Sequence, residues 1–134
     1  MTVGKTKDAG WQIGVSRTVA HPVDDVWELL TSAAGIALWL GAGVTFEFEK
    51  GEHYTTDAGV SGEVRSYHPA DRIRITWQPP DWDHNTTVQI AVQAKGPKTT
   101  IRFHQERLAN SAERQAQREH WKGVADRIQA ALDA

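Results

Sequence analysis

The side chains that could do chemistry in this chain are six histidines and five serines, with no cysteine beside them. His21, His53, His68, His84, His104 and His120 form neither an HExxH pattern nor any pair four residues apart, so they supply no metal-ligand spacing. DWDH at 81–84 is the nearest approach to a cluster, and a solvated turn accounts for it; no metal is expected there. Ser16, Ser32, Ser61, Ser66 and Ser111 lack the flanking glycines of a nucleophile elbow. The absence of cysteine removes thiol nucleophiles, thiolate ligands and disulfides together. GAG at 41–43 lies between a helical and a strand signal, the reverse of the order that cradles a nucleotide phosphate, so no cofactor is expected. Arg114, Arg118 and Lys122 make one ridge at four-residue spacing. Glu113, Glu119 and Asp126 sit among them, and the formal net charge is -2, which reads as a solvated face and excludes nucleic acid as the expected partner.

Such residues need elements to hold them, and the longest runs from Asn110 to Asp133. Asn110 is an N-cap with Glu113 three residues on, and Trp121, Val124, Ala125, Ile128 and Leu132 recur at spacings of three and four. A helix of that length is a rod of roughly 35 Å, comparable to the diameter of a single domain of this size. Its apolar stripe needs a long partner, and most of the preceding chain reads as strand. Ile13, Val15 and Val19 alternate with polar residues over 11–20, with Arg17 alone on the apolar side. Pro22 stops that strand and opens a short helix with Val23, Val26, Trp27 and Leu30 inward. A second short helix starts at Ser32, carries Ile36, Trp39 and Leu40, and ends at Gly41. Strand patterns follow at 44–49, 53–57, 61–67, 72–77, 88–92 and 101–105, separated by turn residues.

The order is therefore strand, two short helices, six more strands and a long helix: an α+β domain with a curved antiparallel sheet that receives the last helix. With 134 residues the chain is long enough for one self-sufficient core. Residues 1–10 read as a flexible leader and 11–134 as a single domain. No apolar run approaches about 20 residues, so no membrane insertion is expected and the cytoplasm is the expected location. Tryptophan supplies six of the eleven aromatic residues. Such rings suit core, pocket wall or interface alike.

The element order, with VAHPVDDVWELLT (19–31), WLG (39–41), GEVRSYHP (62–69), RIRITW (72–77) and HWKGVADRI (120–128), resembles the Hsp90-ATPase-activator-homologue family. That family lies within the START and Bet v 1-like superfamily, also described as polyketide cyclase/dehydrase and lipid transport. The resemblance covers about 16–132 and implies a helix-grip fold: a seven-stranded antiparallel sheet gripping the C-terminal helix, two short helices after strand 1, and a cavity between sheet and helix. Many relatives have Gly-Trp where this chain has His120 and Trp121, which implies a narrower or differently shaped cavity.

A small-molecule site is a cavity walled by apolar and aromatic groups with a few polar ones. Trp39, Trp77, Phe103 and Trp121 are the expected wall, with Tyr54 adding a hydroxyl and His120 a ring that could serve as acid or base. His104 could do so as well if its register points inward. The expected function is binding of a small apolar or amphipathic ligand. A polyketide cyclase/dehydrase-like enzyme is the alternative. A chaperone-interacting module is a third reading, against which stands that the resemblance is only to the C-terminal part of such activators and not to their separate N-terminal domain.

Overall fold

The structure is a computed structural model that describes the backbone of residues 5–6 and the whole of residues 10–134. One antiparallel sheet holds β1 (Lys5–Thr6), β2 (Gly10–Val19), β3 (His53–Thr55), β4 (Ser61–His68), β5 (Arg72–Trp77), β6 (Thr86–Lys95) and β7 (Lys98–Leu108), in the order β1-β2-β7-β6-β5-β4-β3. The helices are α1 (Val23–Thr31), α2 (Ala33–Trp39) and α3 (Ser111–Asp133). This is the helix-grip arrangement, with α3 on the inner face of the sheet. Of the expected leader, Lys5–Thr6 form β1 against Gly10 and Trp11 and Gly10 opens β2; its other residues lie outside the described ones. No helix among the described residues is long and apolar enough to cross a membrane.

Alternation sets the inner face. Ile73, Ile75 and Trp77 of β5, Val88 and Ile90 of β6, and Ile101, Phe103 and Gln105 of β7 are buried, while Arg72, Arg74, Gln89, Arg102 and His104 take the other side. From α3, Gln117, Trp121, Val124, Ala125 and Ile128 complete the core, and Leu132 is half-buried. The Asn110 side chain accepts the Glu113 amide hydrogen at 2.9 Å and the Glu113 carboxylate accepts that of Ala109 at 2.9 Å, so the cap read from the sequence starts α3. Arg17, odd on an apolar strand face, reaches across to Asp126 and Gln129 of α3, each at 2.8 Å. Its charge is spent tying β2 to the helix. Gly35 lets α1 and α2 meet: a Cβ there would come within 1.7 Å of the Leu29 carbonyl oxygen.

One strand expectation is corrected. Residues 44–49 alternate in sequence and in burial, yet pair with no neighbour. The Glu52 carboxylate takes the backbone amides of Glu47 and Glu49 at 3.0 and 3.2 Å, and Phe48 adopts a left-handed φ of 57°. A side chain has replaced the partner strand. Six of the seven expected strands form, and the short β1 brings the sheet to seven.

Candidate functional site

The strongest concentration of rings lies between the inner face of the sheet and the N-terminal half of α3. Trp121 stacks on Phe103 with centroids 5.4 Å apart, and His120 meets Trp121 edge-on at 4.9 Å. His120 also faces Trp77 at 6.2 Å, Trp77 meets Trp82 edge-on at 5.4 Å, and Trp82 stacks on His84 at 5.0 Å. Six rings thus run from the 78–85 loop to the middle of β7. A tight turn places Trp82: its backbone N–H donates to the Pro79 carbonyl at 3.1 Å and its own carbonyl accepts from the Gln78 side-chain amide at 2.7 Å.

A polar thread follows the rings. The Trp121 indole N–H donates to Gln105 Oε1 at 2.9 Å, Gln105 Nε2 donates to Thr86 Oγ1 at 2.9 Å, and the Thr86 hydroxyl donates to the Trp77 carbonyl at 2.7 Å. Each donor group in that thread has a partner. One turn before Trp121, Gln117 is only 8% exposed and its Oε1 has no hydrogen-bond partner. A buried amide oxygen without a donor costs roughly 1–3 kcal/mol, so this acceptor is the exception that calls for a reason.

Two histidines bracket the run with opposite electrostatics. His120 is held below its ordinary pKa, first by burial and then by Arg127, so its imidazole is neutral near pH 7. His84 is held above its ordinary value, chiefly by its hydrogen bond to Asp83, with Glu113 adding to that against partial burial. Its ring nitrogens meet Asp83 at 3.0 Å and Glu113 at 2.9 Å. Carboxylates only accept, so both contacts are hydrogen bonds together only when each nitrogen carries a hydrogen, which is why they favour the imidazolium. It clasps the Trp82 loop to the first turn of α3.

Of the six residues expected at the site, Trp77, Phe103, His120 and Trp121 are brought together here. Trp39 and Tyr54 are not. Trp39 is 1% exposed and donates its indole N–H to the Leu30 carbonyl at 2.8 Å, fixing α2 to α1. Tyr54 donates its hydroxyl to the Thr76 carbonyl at 2.7 Å, burial pushes its phenol pKa up, and its ring meets Phe46 at 5.5 Å. His104 lies on the face opposite Phe103 and bonds Gln12 at 2.9 Å, so its register points away from the interior. Among the described residues no group of three or more potential ligands could hold a metal. Gln105, Gln117 and Thr86 were not singled out from the sequence. The signal was present: Gln105 shares the parity of Ile101 and Phe103, and Gln117 lies four residues before Trp121 on the apolar stripe.

The family model described as Activator of Hsp90 ATPase homolog 1-like protein matches residues 20–133. Protein MLL2253 from Mesorhizobium loti is 22% identical, with a TM-score of 0.78 over 91% of this chain and 96% of its own. CalU16 from Micromonospora echinospora is 17% identical at a TM-score of 0.79, covering 90% of this chain and 73% of that one. PFC0360w, an HSP90 activator from Plasmodium falciparum, is 16% identical at 0.63, covering 73% and 74%. Comparison with curated proteins gives no match. At these identities the structures speak to fold alone.

Proposed function

The chain belongs to the Activator of Hsp90 ATPase homolog 1-like family, and from that premise we propose that it binds a small apolar or amphipathic molecule between the sheet and α3. Trp77, Trp82, Phe103, His120 and Trp121 form the wall of the site, and binding involves no covalent chemistry. The observation that carries this reading is the unpartnered Gln117 Oε1, buried one helical turn before Trp121 on the stripe of α3 that carries the ring run. A buried acceptor left open in an aromatic setting is the combination a ligand with one hydroxyl or N–H would complete. The rings touch one another, so the ligand enters by lifting the Trp82 loop and stacking where Trp82 now rests against Trp77. Trp39 and Tyr54 act as supports of the frame, outside the ligand's reach.

Fluorescence titration with a library of planar aromatic and lipid-like compounds tests this. Saturable change in tryptophan emission is expected for planar aromatics carrying a hydrogen-bond donor, and it weakens in Gln117→Leu. No saturable change across the library, or binding untouched by Gln117→Leu and Trp82→Ala alike, overturns the reading.

A second reading, a cyclase or dehydrase acting on a polyketide-like compound, is favoured by His120. Its imidazole is neutral, partly buried and set between Trp77 and Trp121, which is the state a general base requires. Mass-spectrometric detection of a changed compound, lost in His120→Gln with binding retained, supports the enzyme over the binding module.

A further inference from the structure

We propose that the outer face of the sheet carries a second site, for a phosphomonoester, built from Arg65, Arg74 and Arg107. A cleft of about 300 Å³ is lined there by these three arginines together with Thr76, Asn85 and Thr87. Its location follows from the pleat: Ile75 and Trp77 point into the core, so Arg74 and Thr76 point out.

Two bulges put the other two arginines on that face. On β7, Trp11 pairs with Leu108 and Ile13 with Gln105, so Glu106 and Arg107 together oppose Gln12 alone. Residues 101, 103 and 105 face inward, and a regular strand would turn 107 inward too. The extra residue shifts the parity, so Leu108 is buried and Arg107 is exposed. Arg107 holds a φ of 69°, a conformation glycine takes freely and arginine does not. On β4, Val64 pairs with Ile75 and Ser66 with Arg74, leaving Arg65 as the unpaired extra residue. Strain kept at a position where glycine would serve points to a use for the side chain it displays.

The charges are not balanced within the cleft's surroundings. Arg65 pairs with Glu63 at 2.6 Å, Arg74 pairs with Glu106 at 2.5 Å and gives its other arm to Gln89 at 3.2 Å, while Arg107 makes no ion pair among the described residues. Those carboxylates orient two guanidinium groups and leave one positive charge over. Planar guanidinium forks match phosphate oxygens two at a time, and the hydroxyls of Thr76 and Thr87 and the Asn85 amide add donors. Several donors around one anion suit a phosphate with three free oxygens better than a carboxylate with two. The cleft volume, at the foot of the roughly 300–1,000 Å³ range of small-molecule sites, leaves room for a modest organic group on the phosphate. No ring of the aromatic run and no residue of α3 lines the cleft; Thr86, whose hydroxyl is committed to Gln105 and the Trp77 carbonyl, lies at its floor, and the arginine variants named below leave the interior site untouched.

The test is NMR titration of the full chain with phenyl phosphate, with inorganic phosphate and benzoate as parallel arms. Expected are saturable shifts at the Arg65, Arg74 and Arg107 side chains and the Thr76, Asn85 and Thr87 amides, with phenyl phosphate at least tenfold tighter than benzoate and tighter than inorganic phosphate. Arg107→Gly is expected to weaken binding at least tenfold while raising the melting temperature, because glycine relaxes the bulge. Arg65→Gln, at an exposed position, weakens it as well with the fold unchanged. Absence of saturable shifts, benzoate binding as well as phenyl phosphate, or full binding by either variant overturns the proposal.

Discussion

This molecule holds two separate runs of aromatic rings, and they are finished differently. The first descends from Trp82 through Trp77, His120 and Trp121 to Phe103. The second links Trp27, Tyr67, Phe48, Phe46 and Tyr54, with centroid separations of 5.8, 4.6, 5.0 and 5.5 Å. In the second, the polar atoms answer one another or the backbone: the Trp27 indole donates to the Tyr67 hydroxyl at 3.3 Å and Tyr54 donates to Thr76. It closes α1 and the 44–49 segment onto β4 and asks for nothing more. The first run has an acceptor without a donor one helical turn away on α3, a histidine held neutral by burial, and a loop held by a histidine whose pKa is raised. Equal aromatic content therefore does not mean equal role. Unfinished hydrogen bonding separates a site from a seam.

The largest effect expected is on stability. Trp121 is 1% exposed, stacked on Phe103 and hydrogen-bonded to Gln105, so Trp121→Ala should cost about 3–5 kcal/mol by lost burial and a new void. Phe46→Ala, at a half-buried ring of the second run, should cost clearly less. Denaturant melts of the two variants compare them directly. Equal losses would mean that the two runs share the work of the core and that the contrast is one of polarity alone.

A middle-sized effect should carry opposite signs at two glutamines. Gln105→Leu leaves the Trp121 indole N–H and the Thr86 hydroxyl oxygen each short of a partner, and should destabilise by about 1–3 kcal/mol. Gln117→Leu removes an acceptor that is already unsatisfied and fills similar space with apolar carbon. It should stabilise the free protein by about 1 kcal/mol while weakening ligand binding. Loss of stability in Gln117→Leu would show that the amide has a structural duty, and the first run would then be as complete as the second.

Much of this was legible in the sequence, and the gaps have physical causes. The cap at Asn110 and the stripe from Trp121 to Ile128 fixed α3, because local hydrogen bonding and burial agree there. The 44–49 segment has the alternation of a strand, but Glu52 captures its amides, and no periodicity reports a carboxylate three residues away. Four of the six expected site residues converge because their parity and stripe positions place them on facing surfaces. Trp39 and Tyr54 have the right residue type, but backbone carbonyls at Leu30 and Thr76 claim their polar atoms, and those partners depend on tertiary placement. The bulge at Arg107 leaves no mark in composition at all, since arginine is not a residue that announces a left-handed turn.

The smallest effect expected is the dependence on pH, and it separates the two ends of the first run. The pKa of His84 is raised in the folded chain, by Asp83 first and also by Glu113. Its contribution to stability is therefore full below the ordinary histidine value of about 6.5 and is lost as the pH rises through the higher folded value. The pKa of His120 is lowered by burial and by Arg127. Its contribution is present above about 6.5 and is lost as the pH falls through the depressed folded value. The two act in opposite directions on either side of neutrality. His84→Gln should abolish the loss on the alkaline side alone, and His120→Gln the loss on the acid side alone. Ring-proton NMR titration should find the His84 midpoint above the ordinary value and that of His120 below it, with Trp82 more open to iodide quenching once His84 has released its proton. Both rings titrating at the ordinary value would mean that the clasp on the loop and the dry setting of His120 are absent in solution. The first run would then lose the features that set it apart from the second.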